Sequence, residues 1–130
     1  MRNRKVRVVV KKEDLGYSAS CNIGKAFVAT EADSFEELKR KIIDALHFTF
    51  ENDELIFTQS NLTFEFDLES FFDFYRVINA KALSERIGMN QSLLAQYIRG
   101  IKKPSPAQTK RILKGVQQIG KELSEVTFLL

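Results

Sequence analysis

Apolar and polar positions in the first part of the chain alternate with a period of two. Residues 5–12 contain a run of valines, and residues 17–23 alternate large or apolar side chains with small or polar ones. Residues 26–30 resume the pattern after a Gly-Lys turn. Alternation rich in β-branched residues is typical of strands. Three such segments joined by short turns predict an antiparallel meander.

The period then changes to that of a helix. Ser34 is followed three residues later by Glu37, which is the spacing of a capping box. Apolar residues recur behind it at helical intervals, and we expect the helix to end near residue 51. Residues 62–66 alternate once more as a strand. The order β-β-β-α-β over residues 1–66 predicts a sheet with one face covered by a helix.

Residues 67–130 have helical periodicity almost throughout, which predicts an all-α second domain and an α+β protein. Asp67 is suited to cap a helix whose aromatic stripe we expect to be core (Phe71, Phe74, Tyr75 and Ile78). Ser105-Pro106 begins the last helix. Its inward residues are predicted to be Ile112, Leu113, Val116 and Ile119, and its outward ones Lys110, Arg111 and Lys114. We expect the apolar tail, residues 125–130, to pack on the domain or pair with a second copy.

A shorter pair of helices lies between these two. Leu83 and Ile87 share one helical face, and Gly88 follows where a left-handed cap favours glycine. Asn90 is suited to cap the next helix, which Gly100 ends. Leu94 and Tyr97 are predicted to face inward, which leaves an outer face of small and amide side chains: Gln91, Ser92, Ala95 and Gln96.

This layout is that of a helix-turn-helix, in which the second helix presents its first residues to base edges in the major groove. Amide side chains suit that role, because Gln and Asn can pair bidentately with adenine. An αα-hairpin in a helical domain that binds no nucleic acid also uses glycine at its turn. Shape alone does not separate the two hypotheses.

The distribution of charge favours nucleic-acid binding. Net charge is +3, but residues 1–66 carry −1 and residues 67–130 carry +4. Between Arg76 and Lys121 there are 10 Lys/Arg against a single acid, Glu85. A solvated helical face normally mixes both signs, whereas a one-sided excess is expected of a surface that binds phosphates.

Other chemistry is sparse. The lone Cys21 excludes an internal disulfide and is expected to be a small buried hydrophobe. His47 is the only histidine, with no second ligand at metal-binding spacing, so we expect it to be structural. The acidic residues are not spaced like the converging carboxylates of a two-metal nuclease. The sequence also has no phosphate-binding glycine-rich loop and no nucleophile motif. We therefore expect a cytoplasmic protein that is not an enzyme, uses no metal or cofactor and does not enter a membrane.

Residues 88–100, followed by Lys-Lys-Pro, resemble the Xre/Cro/phage-repressor type of helix-turn-helix, and the resemblance extends over residues 68–123. It implies a lambda-repressor-like fold in which Asn90, Gln91, Ser92 and Gln96 face DNA. It also implies that a basic loop contacts phosphates through Arg99, Lys102 and Lys103. Ala80 stands where many members have a glutamine that contacts a phosphate.

The first half resembles the HicB antitoxin domain, a partial RNase H-like β-β-β-α-β unit. Three stretches carry the resemblance: residues 6–10, residues 16–20 and residues 34–46. Residues 22–25, Asn-Ile-Gly-Lys, replace the family's usual Pro-Gly-Cys segment. The order of domains is that of HicB proteins with a helix-turn-helix tail, which neutralise a small RNA-cleaving HicA toxin and repress their own operon as dimers or higher oligomers.

Together these patterns predict an antitoxin of a type II toxin–antitoxin system, with a HicB-like domain over residues 1–66 and a DNA-binding domain over residues 67–130. The expected partners are operator DNA, a small HicA-like toxin and further copies of the chain. One alternative is a stand-alone Xre-type repressor whose first domain binds a ligand or only oligomerises. Another is an RNase H-like nuclease with a DNA-targeting tail, although the carboxylate cluster it needs is missing.

Overall fold

The computed structural model describes residues 2–3, 5–53 and 55–130. Within them the chain is α+β, with a four-stranded mixed sheet and five α-helices. It divides into two compact units, Met1–Phe74 and Tyr75–Leu130. The division falls later in the chain than the predicted boundary after residue 66, because the first helix beyond that boundary packs with the sheet.

The sheet of the first unit has the order β4-β3-β2-β6. Its strands are β2 (Val6–Lys12), β3 (Tyr17–Ile23), β4 (Ala26–Ala32) and β6 (Leu62–Phe66). The first three form the predicted antiparallel meander, with Val9 opposite Ser20 and Ser20 opposite Ala29. β6 returns to lie parallel to β2, with Val8 opposite Phe64. The strands are the predicted ones, with β4 extended to Ala32.

Helix α1 (Phe35–Thr49) covers one face of this sheet. Ser34 caps it by accepting a hydrogen bond from the Glu37 backbone N–H at 3.2 Å, as its sequence predicts. The helix ends two residues before the predicted end. Its buried residues meet alternate positions of the strands in one apolar core, which contains Leu38, Ile42, Leu46, Val6, Val8, Val10, Ala19, Cys21, Ile23 and Val28. Cys21 is buried as predicted, and burial raises the pKa of its thiol.

A short parallel pair, β1 (Arg2–Asn3) with β5 (Leu55–Ile56), lies beside this core. His47 has a structural partner here, because its Nε2 accepts a hydrogen bond from the backbone N–H of the buried Phe57 at 3.1 Å. This bond fixes the segment after β5 to α1.

Helix α2 (Leu68–Phe74) belongs to the first unit. Asp67 caps it as predicted, accepting from the Ser70 N–H at 2.7 Å. Phe74 stacks on Tyr17 with ring centroids 3.7 Å apart, and it also packs against Phe35 of α1. Phe74 therefore contributes to the core of the sheet domain. The prediction that Tyr75 and Ile78 continue the stripe of this helix is wrong, because α2 ends at Phe74.

The second unit holds α3 (Ala80–Ile87), α4 (Gln91–Ile98) and α5 (Pro106–Ser124). Leu83, Met89, Leu94 and Ile112 form its buried centre. Gly115 of α5 lies so close to α3 that an added Cβ would overlap Cγ2 of Ile87. The face of α5 that packs against α3 is therefore the one that carries Ile112 and Gly115. The prediction that Leu113 faces inward is therefore wrong: its residue surface is 50% exposed.

The last residues lie on the surface of the second unit. Residues 121–130 are all exposed. The expectation that the tail packs on its own domain is therefore wrong. Among the described residues, no helix combines the length and the apolar character needed to cross a bilayer.

Candidate nucleic-acid interface

The turn between α3 and α4 has the geometry that its sequence predicts. The Asn79 side chain caps α3 by accepting from the Ala82 N–H at 3.0 Å. Gly88 then adopts the left-handed conformation with φ 68°, and the Met89 N–H closes the turn on the Ser84 carbonyl at 2.8 Å. Such a closure satisfies carbonyls that the helix end leaves without partners. The angle at which α4 leaves α3 is thus fixed by backbone hydrogen bonds.

Arg111 of α5 braces the same turn from outside. Its guanidinium donates to the Gly88 carbonyl at 2.7 Å and to the Ile87 carbonyl at 2.9 Å. A cation at a helix C-terminus is favoured by the helix dipole as well as by the hydrogen bonds themselves. Arg111 was predicted only to face outward, and its bond to the turn is a feature that sequence spacing did not reveal.

The outer face of α4 presents the predicted small and amide side chains. Gln91, Ser92 and Ala95 are exposed, whereas Gln96 is half-buried. On the opposite side Leu94 is buried and Tyr97 is half-buried, which confirms the predicted orientation of the helix. The exposed positions recur at intervals of three and four residues, so they form one continuous strip.

Asn90 lies at the start of this strip, but its oxygen is already engaged. Its side chain accepts a hydrogen bond from the Leu93 N–H at 3.1 Å and so caps α4. Bidentate pairing with adenine needs both the amide oxygen and the amide nitrogen. The Asn90 side chain is therefore held in its capping orientation, with its NH₂ group and one lone pair of its oxygen left for a ligand.

The predicted basic loop follows directly from the end of α4. Gly100 has φ 75°, and the N–H groups of Ile101 and Lys102 both point to the Gln96 carbonyl, at 2.9 and 3.3 Å. Lys102 and Lys103 are exposed beyond this turn. Arg99 is exposed at the C-cap of α4, four residues after Ala95, so it continues the polar strip.

Not every cation of the second unit is free to contact a ligand. Arg86 donates to Glu122 at 2.7 Å. This contact raises the pKa of Arg86, and the pKa of Glu122 is lowered first by Arg86 and then by the Gln118 amide. Arg111 is held by the turn. Within the described part of the chain, Arg99, Lys102 and Lys103 have no ion pair and remain exposed.

The division into two units makes the charge asymmetry sharper than the predicted boundary did. Residues 75–130 hold 10 Lys/Arg and 3 Asp/Glu, a net +7, and residues 1–74 hold 10 and 14, a net −4. The acidic residues of α2 and its cap fall in the first unit. A small helical unit with this charge has the electrostatic character expected of a nucleic-acid-binding surface.

Among the described residues, no three His, Cys, Asp or Glu side chains lie together as a possible metal ligand set. Compared with known protein families, curated protein sequences and solved structures, the chain matches none of them. The functional hypothesis therefore depends on the geometry and charge described above.

Proposed function

We propose that this chain is a DNA-binding antitoxin that represses its own operon, with the second unit acting as a lambda-repressor-like helix-turn-helix domain. The observation that carries the DNA-binding part is the α3–Gly88–α4 turn, whose second helix exposes Gln91, Ser92 and Ala95 beside unpaired cations. In this hypothesis α4 enters the major groove and α3 crosses the backbone.

Two sets of residues divide the work of recognition. Gln91, Ser92, Ala95 and Gln96 contact base edges, where an amide side chain can pair with adenine, and the capping Asn90 adds a contact from its NH₂ group. Arg99, Lys102 and Lys103 contact phosphates, which position the protein and carry no sequence information. Two copies on a palindromic operator would read half-sites about one helical turn apart.

Binding to DNA from upstream of its own gene tests this division, with a scrambled fragment as competitor. Gln91→Ala should cost roughly 1–3 kcal/mol on the operator and little on scrambled DNA. Lys103→Ala should weaken binding to both and reduce the salt slope by about one. Lys25→Ala is the matched control, since Lys25 is an exposed lysine on the β3–β4 turn of the first unit. Equal losses on both DNAs from Gln91→Ala would exclude base reading by that residue.

The first unit is proposed to be partial RNase H-like and to neutralise a small RNA-cleaving toxin, as its resemblance to HicB implies. The four-stranded sheet and α1 follow the order β-β-β-α-β along the chain, which supports the proposal. The sheet face opposite α1 is also suited to a protein partner, because Val9 and Phe27 lie there at 40% and 65% exposure, beside the exposed Lys11. Exposed apolar side chains among charged ones are typical of such contact surfaces.

Co-expression with the neighbouring gene of its operon tests the antitoxin part. The neighbour should arrest growth and cleave RNA when expressed alone, and this chain should restore growth and co-purify with it. Phe27→Asp should weaken that rescue, whereas Phe48→Asp should not, because Phe48 is 78% exposed on α1, away from the open sheet face. A neighbour with no toxicity, together with intact operator binding, would leave the alternative of a stand-alone repressor.

A further inference from the structure

The second unit exposes large apolar side chains along its last helix and in the tail that follows. Leu113 and Leu123 of α5 are 50% and 64% exposed, and the tail adds four residues that are each more than half exposed: Val126, Phe128, Leu129 and Leu130. Large contiguous apolar patches on soluble proteins mark sites of interaction. The tail follows α5 directly in the chain, so both are available to the same partner.

Along α5 this surface is a regular stripe. Leu113, Val116, Gly120 and Leu123 are separated by three, four and three residues, which places them on one side of the helix. Gly115, which faces α3, lies on a different side. The two glycines differ accordingly, because a Cβ added at Gly115 would overlap α3, whereas a Cβ added at Gly120 would meet no atom within 4 Å.

We propose that this stripe, with the tail, is the interface to a second copy of the same chain, and that the two α5 helices cross antiparallel. The stripe is complementary to itself under a two-fold rotation about residue 118. That rotation brings Val116 against the partner's Gly120, where the structure has open space, and Leu113 against the partner's Leu123. A two-fold interface requires this kind of self-complementarity.

The exposed area is sufficient for a stable pair. The six exposed side chains are Leu113, Leu123, Val126, Phe128, Leu129 and Leu130. At about 100 Å² of apolar surface each, they supply about 600 Å² per copy. Two copies would then bury about 1,200 Å², which is the lower end of the range for stable interfaces. Leu113 and Leu123 alone would supply only about a third of this area, so the proposed interface includes the tail.

The inference names the surface through which the proposed repressor would form the pair that a palindromic operator requires. Dimerisation is measured without DNA, so the two proposals can fail separately. A dimer without operator binding would leave this inference intact and remove the proposed function. A monomer that binds its operator through Gln91 would do the reverse.

Sedimentation equilibrium of the full chain between about 1 and 100 μM tests the interface, since micromolar association falls within that range. The wild type should dimerise, and Gly120→Gln should raise the dimer dissociation constant at least tenfold. Lys114→Gln, which introduces the same residue on the side of α5 away from the stripe, should leave it unchanged. Helical circular dichroism of Gly120→Gln should equal or exceed that of the wild type, because the position is open in the monomer and glycine is a poor helix former.

A second variant extends the test to the outer end of the stripe. Leu123→Glu removes an exposed apolar side chain and should weaken dimerisation without loss of helical signal. A wild type that stays monomeric over the whole range would overturn the inference. So would Gly120→Gln and Leu123→Glu variants that dimerise as tightly as the wild type, because the interface would then lie elsewhere.

Discussion

Gly115→Ala and Gly120→Ala are the same substitution in the same helix, yet the structure predicts opposite effects on stability. Both glycines lie inside α5, where alanine is the better helix former by about 1 kcal/mol. If local propensity alone decided the outcome, both variants would be more stable than the wild type.

The surroundings of the two glycines reverse the sign at one of them. At Gly115 the new methyl group would overlap Cγ2 of Ile87 and lie 3.2 Å from Cδ1 of Leu83. The Ile87 methyl sits on a β-branched carbon with restricted rotamers, so it cannot swing away alone. Overpacking of this kind costs about 1–3 kcal/mol, and after the gain in propensity we expect a net loss of about 1 kcal/mol. Gly120→Ala should gain about 0.5–1 kcal/mol.

Urea unfolding of the full chain, followed by circular dichroism at about 1 μM where association contributes least, measures both changes. Hydrogen exchange of peptides from α3 and α5 then assigns each change to the second unit. If Gly115→Ala is as stabilising as Gly120→Ala, α3 and α5 do not approach as closely as described. The described packing of α5 against α3 would then be wrong.

Three further predictions concern hydrogen bonds and ion pairs. Ser70→Ala should cost about 1–3 kcal/mol in urea unfolding, because the Ser70 hydroxyl, buried in the first unit, accepts from the Lys12 N–H at 2.8 Å and its loss leaves that donor unsatisfied. Arg111→Ala should cost about 1 kcal/mol by releasing two carbonyls of the turn, and Arg111→Lys should restore only part of it. Since Arg86 lowers the pKa of Glu122, their contact stabilises the fold above the ordinary carboxyl pKa and the effect is lost as pH falls through the lowered value. Glu122→Gln should therefore be less stable than the wild type at neutral pH, and the difference should shrink as pH falls below the ordinary carboxyl pKa. A difference that does not change with pH would contradict this origin.

Local signals predicted most of the secondary structure. Alternation with short turns identified the three meander strands, and the capping residues Ser34, Asp67 and Asn90 each accept the hydrogen bond that their position predicts. The left-handed Gly88 was equally predictable, and so was the end of a helix at Gly100. These features depend on residues within a few positions of one another, which is why the sequence alone reveals them.

Features that depend on distant residues were not predictable in the same way. The aromatic stripe of α2 has helical spacing, but nothing local indicates that Phe74 stacks on Tyr17 of the sheet domain. The sequence placed Leu113 on the inward face of α5, but the helix packs on α3 through Gly115, which leaves Leu113 exposed. A buried glycine within an apolar helical stripe is the one signal that could have suggested this contact.

The sequence predicted the outer face of α4 and the basic loop of the candidate interface. It did not predict which of their side chains are free of hydrogen bonds within the protein. Spacing placed Gln91, Ser92 and Ala95 outside correctly. It could not show that the Asn90 oxygen is engaged by the Leu93 N–H, or that Arg111 is engaged by the turn. Those engagements depend on three-dimensional proximity and change which side chains can contact DNA.

The central claim is that α4 of the second unit reads a specific DNA sequence. Hydroxyl-radical footprinting of the full chain on DNA upstream of its own gene tests this most directly, with Gln91→Ala in parallel. The account predicts two protected half-sites about one helical turn apart, and loss of the footprint with Gln91→Ala at the concentration that protects with the wild type. Uniform protection of any DNA, or an unchanged footprint with Gln91→Ala, would contradict it.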